Sequence, residues 1–208
     1  MAEPDGENDR PRLTARGRAT KARILDAAAQ LTYEKGVAQT TLEDVTVASG
    51  TSKSQLYQHF ADKDVLVREV ISLRASRVLE FQRRRLHRLD SLRGLELWRD
   101  ALVERNALRN GAYGCELGSL AYELADQDEP ARQALAGHFV TWLSLLTDGI
   151  ERMRTNGTLR PETDPEALAA GLMAALQGGY LLAQTAHDVE PMRIALDMAI
   201  AHVRTFAA

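Results

Sequence analysis

The chain has 208 residues, 45% of them hydrophobic and 26% charged, which suffices for a sizeable core in one large domain or two small ones. The net charge of −3 is unevenly spread: residues 1–9 carry four acids and no Lys or Arg, residues 10–63 nine Lys/Arg against five acids, and residues 64–208 seventeen against twenty. One cysteine, Cys115, excludes an intramolecular disulfide, and the N-terminus lacks the apolar stretch of a signal peptide.

The elements read as helices throughout, with no sustained period-2 alternation. Residues 1–18 are polar and aperiodic and are expected to form a disordered arm. A first helix is expected from near Thr20 to Gly36, with Ile24, Ala27, Ala28 and Leu31 on one face. Thr40-Thr41-Leu42-Glu43 reads as a capping box, Thr40 accepting and Glu43 reaching back, opening a short helix to about Ala48. Gly50 supplies a turn, Ser52 caps a second short helix through Tyr57, and Asp62 caps a long helix to about His87. Further helices are expected over about 92–109, 117–125, 130–156, 165–186 and 190–206, the last three opened by Pro130, Pro165 and Pro191. The run from Ala167 to Ala183 is interrupted and falls short of the roughly 20 apolar residues of a membrane span. No membrane contact and a cytoplasmic location are therefore expected.

Two short helices joined by a tight glycine turn form a helix-turn-helix. They are too short to stand alone, so Leu42, Val45, Ala48, Leu56 and Phe60 are expected to pack on Ile24, Ala28 and Leu31. In the second helix Leu56 and Phe60 point inward, leaving Lys53, Ser54, Gln55 and Gln58 outward. Gln pairs bidentately with adenine and Lys donates to guanine; Tyr57, His59 and Lys63 can donate to phosphate, the last at a helix N-terminus that itself favours anions. The basic balance of residues 10–63 fits that use, though short windows also drift in charge by chance. The geometry alone is equally compatible with a solvated polar face on an ordinary three-helix bundle.

The series Arg23-Ile24-Leu25-Asp26-Ala27-Ala28, Gly36, Thr40-Thr41-Leu42, Val45, Gly50 through Phe60 and Lys63-Asp64-Val65-Leu66 resembles the N-terminal signature of the TetR (tetracycline-repressor) family in order and spacing, over about 45 residues without a gap. The sequence departs from it at Thr46, Thr51 and Ser54, where Ala, Val and Gly are common; Ser54 bears on the operator rather than on the fold. Residues 114–121 and 176–184 more weakly resemble the lincomycin-resistance and flavonoid-responsive branch. The resemblance implies an all-α fold of about nine helices: a DNA-binding domain over 19–63 and an effector-binding and dimerisation domain over 64–208. It implies a homodimer on a double-stranded, palindromic DNA operator, released by a small-molecule effector, and DNA contacts from Thr40, Thr41, Ser52, Lys53, Ser54, Gln55, Tyr57, Gln58, His59 and Lys63.

For the effector, a pocket needs apolar walls and a few polar groups. Candidates are Trp98, Tyr113, Cys115, Leu120, Phe139, Trp142, Leu146, Met173, Gln177 and Tyr180, each of which also suits plain core packing. Gln177 stands out, because a Gln within an apolar run must find a partner or face a cavity, and a largely apolar, aromatic ligand is the natural occupant. The small residues Gly171, Ala174, Gly178 and Gly179 permit close helix approach, either inside one subunit or across a two-fold interface. Arg83-Arg84-Arg85 and Arg88 read as a solvated helix end. Five histidines show no metal-ligand spacing and no nucleotide-binding or hydrolase motif occurs, so neither an enzyme, a metal nor a cofactor is expected. A helical partner-binding protein that never meets DNA and an activator remain the alternatives.

Overall fold

A computed structural model describes residues 14–208. Among these the chain forms nine α-helices: α1 (Ala15–Lys35), α2 (Leu42–Ser49), α3 (Lys53–His59), α4 (Lys63–Leu86), α5 (Leu92–Ala107), α6 (Glu116–Leu124), α7 (Glu129–Thr155), α8 (Pro165–Ala186) and α9 (Glu190–Arg204). One isolated bridge, Leu159 with Ala207, ties the C-terminal end to the α7–α8 connection.

The first helix begins at Ala15, five residues earlier than expected. Thr14 caps it, its hydroxyl accepting from Gly17 N at 3.1 Å. Ala and Arg are good helix formers without any apolar stripe, so periodicity gave no signal there. The last four residues of the expected disordered arm are thus helical, and the rest of it, residues 1–13, lies outside the described residues.

Two apolar clusters form. The head cluster joins Ile24, Ala28 and Ala29 of α1 to Val45, Leu56, Phe60, Leu66 and Val70, with Leu31 and Leu42 half-buried against it. Ala48, expected inside, is exposed, because its neighbour Ser49 takes the inward position. The larger cluster is built from α4 to α9. Helix α4 serves both: Leu66 and Val70 face the head, while Val67, Ile71 and Ala75 face the body. A boundary drawn at residue 63 therefore cuts through the head core, whose fourth wall is the first two turns of α4.

In the body α8 packs on α7 and α9, α4 on α6 and α7, and α5 on α9. Arg152 of α7 donates to the carbonyls of Leu86 at 2.7 Å and Leu89 at 2.9 Å, capping the end of α4. Arg83, Arg84 and Arg85 are exposed. By length and composition α8 is apolar enough to cross a membrane, a stronger signal than the interrupted run suggested. Its inner side (Leu168, Leu172, Leu176, Ala183) carries core residues, and Gly179 brings α9 close.

A Cβ on Gly179 would sit 2.9 Å from the Cα of Met192, a backbone atom that cannot yield. Gly179→Ala is therefore expected to cost about 1–3 kcal/mol, read as a lowered Tm. Gly137→Ala, where a Cβ meets nothing within 4 Å, is expected to stabilise its exposed helix position by about 0.5–1 kcal/mol. Equal shifts in the two variants would contradict the close approach of α8 and α9.

Candidate functional site

The recognition surface is made by caps. Thr41, not Thr40, is the N-cap of α2: Asp44 N donates to Thr41 Oγ1 at 3.1 Å, and Thr41 N donates back to Asp44 Oδ2 at 2.9 Å. The expected box is shifted by one residue because Asp44, rather than Glu43, closes it. Lys35 Nζ donates to the same carboxylate oxygen at 2.8 Å. These donors, Lys35 first and Thr41 next, hold the Asp44 carboxyl well below the usual carboxylate range. Thr40 is buried and donates to the carbonyl of Gly36 at 2.7 Å. It braces the α1–α2 loop and is withdrawn from any DNA-facing surface.

Gly50 closes α2 in the left-handed region, at φ 62° and ψ 37°. Ser52 then caps α3 in a second box: Gln55 N donates to Ser52 Oγ at 3.2 Å and Ser52 N donates to Gln55 Oε1 at 2.9 Å. That bond uses one lone pair of the Gln55 amide oxygen and fixes the orientation of the side chain, leaving the second lone pair and Nε2 for a base edge. Gln58 carries no such commitment and is exposed, as are Thr41, Ser52, Lys53, Ser54 and Tyr57. His59 and Lys63 are half-buried, His59 edge-on to Phe60 at 6.5 Å. Val47, 78% exposed on α2, joins this surface; as an apolar residue in an amphipathic helix it gave no sequence signal of exposure.

The body holds a cavity of about 230 Å³ beside a cleft of about 1240 Å³. Tyr33, Ala112, Gly114, Cys115 and Tyr180 line both. Of the candidates, Trp142 lines the cavity; Tyr113, Phe139 and Gln177 line the cleft. Phe139 and Trp142 stack with ring centroids 6.3 Å apart, spanning the two spaces. Trp98, Leu120, Leu146 and Met173 line neither and are core residues. Trp98 donates to Gln82 Oε1 at 2.9 Å, and Met173 Sδ accepts from Gln177 Nε2 at 3.5 Å. Burial pushes the Cys115 thiol and the Tyr180 hydroxyl up, so the thiol stays protonated, against a reactive thiolate.

The cleft's far wall is the end of α1: Thr32, Tyr33, Glu34, Lys35, Gly36 and Gln39. Bonds tie that wall to the body. Tyr33 OH donates to the Gly114 carbonyl at 3.1 Å, and Glu123 Oε2 accepts from Val37 N at 2.7 Å. Arg74 Nη2 donates to Ala29 O at 2.6 Å and to Thr32 Oγ1 at 2.7 Å. The loop beneath is held in left-handed backbone at Asn110, Gly111, Tyr113 and Gly114. The sequence reading missed Tyr33, Arg105, Arg109 and Glu123 as cleft or cavity residues. They are brought together by tertiary contact from helices far apart in the chain, which no local pattern encodes.

Comparison with known proteins agrees with this architecture. Residues 24–70 match the bacterial regulatory proteins of the tetR family, and residues 89–199 match the tetracyclin repressor-like C-terminal domain. An uncharacterised HTH-type transcriptional regulator from the lacX 3' region of Lactococcus lactis is 28% identical over 87% of this chain and 91% of its own. The HTH-type transcriptional regulator LmrA of Bacillus subtilis is 26% identical over 83% and 90%. The crystal structure of regulatory protein TetR from Rhodobacter sphaeroides superposes with a TM-score of 0.80 at 21% identity, covering 88% of this chain and 98% of that one.

The depressed Asp44 carboxyl has a definite pH signature. Its contribution is fully present above the ordinary carboxylate value of about 4 and is lost as pH falls through its lower folded value. In urea unfolding Asp44→Asn is expected to be less stable than the wild type at neutral pH, with the gap narrowing below about pH 4. A gap constant over that range would contradict the Lys35–Asp44–Thr41 arrangement.

Proposed function

The chain belongs to the tetR family of DNA-binding transcriptional regulators, which are not enzymes, and from that premise we propose that it is a homodimeric repressor released from a palindromic operator by a small, largely apolar effector. The observation that carries the reading is the pairing of an exposed, doubly capped recognition helix with a cleft whose wall is the same α1 that packs behind that helix. Lys53, Ser54 and Gln58 are assigned to base edges. Ser52, Tyr57, His59 and Lys63 are assigned to phosphates and Gln55 to a base edge through its free amide nitrogen, while Thr41, whose amide and hydroxyl both donate to Asp44, sets the start of α2.

Dimerisation is supported by an unpartnered apolar face. On α8 the residues Ala170, Gly171, Ala174, Gly178, Leu181 and Leu182 are exposed, and on α9 Ile194 and Met198. A Cβ on Gly171 or Gly178 meets nothing within 4 Å, so this flank has room for another helix pair. Two such pairs form a four-helix interface around a two-fold axis. The axis sets two recognition helices into successive major grooves, about 34–36 Å apart. An occupant of the cleft presses on the end of α1 and moves the heads out of that spacing.

The test is a titration into duplex from the region flanking the gene, beside a scrambled duplex, over a range of salt. Six or more phosphate contacts are expected to lower specific affinity about a thousandfold between about 50 and 200 mM salt. Lys53→Ala is expected to cost about 1–3 kcal/mol on the specific duplex and far less on the scrambled one. Equal, weak binding to both duplexes, persisting against a random-sequence pool, would favour a helical partner-binding protein instead.

A further inference from the structure

Tyr180 carries a donor that the fold leaves unanswered. Among the described residues of α8 it alone lines both the small cavity and the cleft, and its hydroxyl makes no hydrogen bond among the described residues. Two unpartnered side-chain atoms of the described residues are sealed from solvent, Trp142 Nε1 and Thr163 Oγ1. The Tyr180 hydroxyl is not one of them, so open space adjoins it. Burial nonetheless pushes this hydroxyl far up, which sets it deep among protein atoms and keeps it a donor. The space it opens on is therefore internal, the cavity or the cleft. On the same face of α8, three residues before and four after, Gln177 and Gln184 also line the cleft. Gln177 Nε2 donates to the Met173 thioether at 3.5 Å, a weak acceptor. Two donors thus share one face, and a carbonyl oxygen has the two lone pairs to answer them.

The charges around both spaces cancel. Glu34, Lys35 and Glu123 line the cleft, and Arg105, Arg109 and Glu116 line the cavity. His187 apart, that is three acids against three bases. Directly behind these walls Asp44 pairs with Lys35 at 2.8 Å and Arg74 lies buried, again one of each sign. Arg105 is already paired with Glu116 at 3.0 Å, and Glu123 holds the amide of Val37. An ion entering here would lose its water without a net opposite charge to receive it, which is costly. Rings are in supply instead: Tyr33, Tyr113, Tyr122, Phe139 and Tyr180 all line the cleft.

Resting on the effector reading above, we propose that the effector is an uncharged aromatic carbonyl compound, its oxygen accepting from the Tyr180 hydroxyl and its ring lying in the cleft against Phe139 and Tyr113. Gln177 and Gln184 are placed along the same face to meet further polar groups on it.

Acetylnaphthalene and ethylnaphthalene share a ring system and nearly a shape, and differ in the carbonyl. Equilibrium dialysis of both against the full chain, wild type and Tyr180→Phe, isolates the one bond as a double difference. The ratio of ketone to hydrocarbon affinity is expected to fall about threefold to tenfold in Tyr180→Phe, the range of a neutral hydrogen bond, with ethylnaphthalene within about twofold of its wild-type value. Because the hydroxyl bonds nothing in the protein, the Tm of Tyr180→Phe is expected to be no lower than that of the wild type. Naphthoate and naphthylmethylammonium, one of each charge, are expected to bind the wild type at least about tenfold more weakly than the ketone. An affinity ratio unchanged by Tyr180→Phe, a lowered Tm in that variant, or a charged compound bound as tightly as the ketone would each overturn the proposal while leaving the cleft as an effector site. Binding of neither uncharged compound up to its solubility limit would overturn the effector reading itself, and this proposal with it.

Discussion

A buried cation holds the two halves of this protein together. Arg74 is 1% exposed, and burial lowers its pKa to about 10, so it remains charged at neutral pH. Removing a guanidinium from water is costly unless its donors are met. Here they are met by α1, through Ala29 O and Thr32 Oγ1, and by α6, through Glu116 O at 3.4 Å, with the Tyr33 ring 5.2 Å away. Thr32 in turn donates to Ala28 O at 2.8 Å, so the acceptor facing Arg74 is fixed in orientation. The head cannot turn on the body without unpairing this charge or carrying α4 and α6 along.

The same junction forms the cleft. Tyr33 and Thr32 are wall residues on the head side; Gly114, Cys115 and Glu123 answer them from the body. Glu123 takes the amide of Val37 just ahead of α2, and Thr40 and Lys35 brace the loop and cap that start the recognition motif. A chain of short polar contacts thus runs from the cleft to the cap of α2. Its length is a few residues, and each link is a bond with a definite geometry rather than a deformable apolar surface.

The recognition motif was legible because its signals are local. Ser52, Gly50 and Asp62 act where the spacing put them, whereas Gln55, read as pointing outward, also closes the Ser52 cap, and the one-residue slip at Thr40 arose because Glu43 and Asp44 are adjacent acids equally able to close a box. The cleft was legible only in part. Trp98 and Trp142 look alike in sequence, each an aromatic on an amphipathic helix; they differ in whether Gln82 reaches the indole, which depends on how α4 crosses α5 and α7. Leu120 and Met173 turned out to be core for the same reason, since periodicity gives the buried face of a helix but not what lies opposite it. Arg109 carries no signal of its own in the sequence, and gains a place in the cavity wall only when Tyr33, more than seventy residues earlier, is brought to 5.3 Å from it.

The proposed coupling of cleft and head through the Arg74 junction has a thermodynamic consequence that needs no knowledge of the natural effector. If a cleft ligand favours the released arrangement, DNA must weaken that ligand by the same factor by which the ligand weakens DNA. The decisive measurement is the affinity of an apolar aromatic probe, methylnaphthalene, determined twice, for the free protein and for the protein held on its specific duplex. Coupling through the junction predicts binding at least about fivefold weaker on DNA; equal affinity in the two states would contradict it.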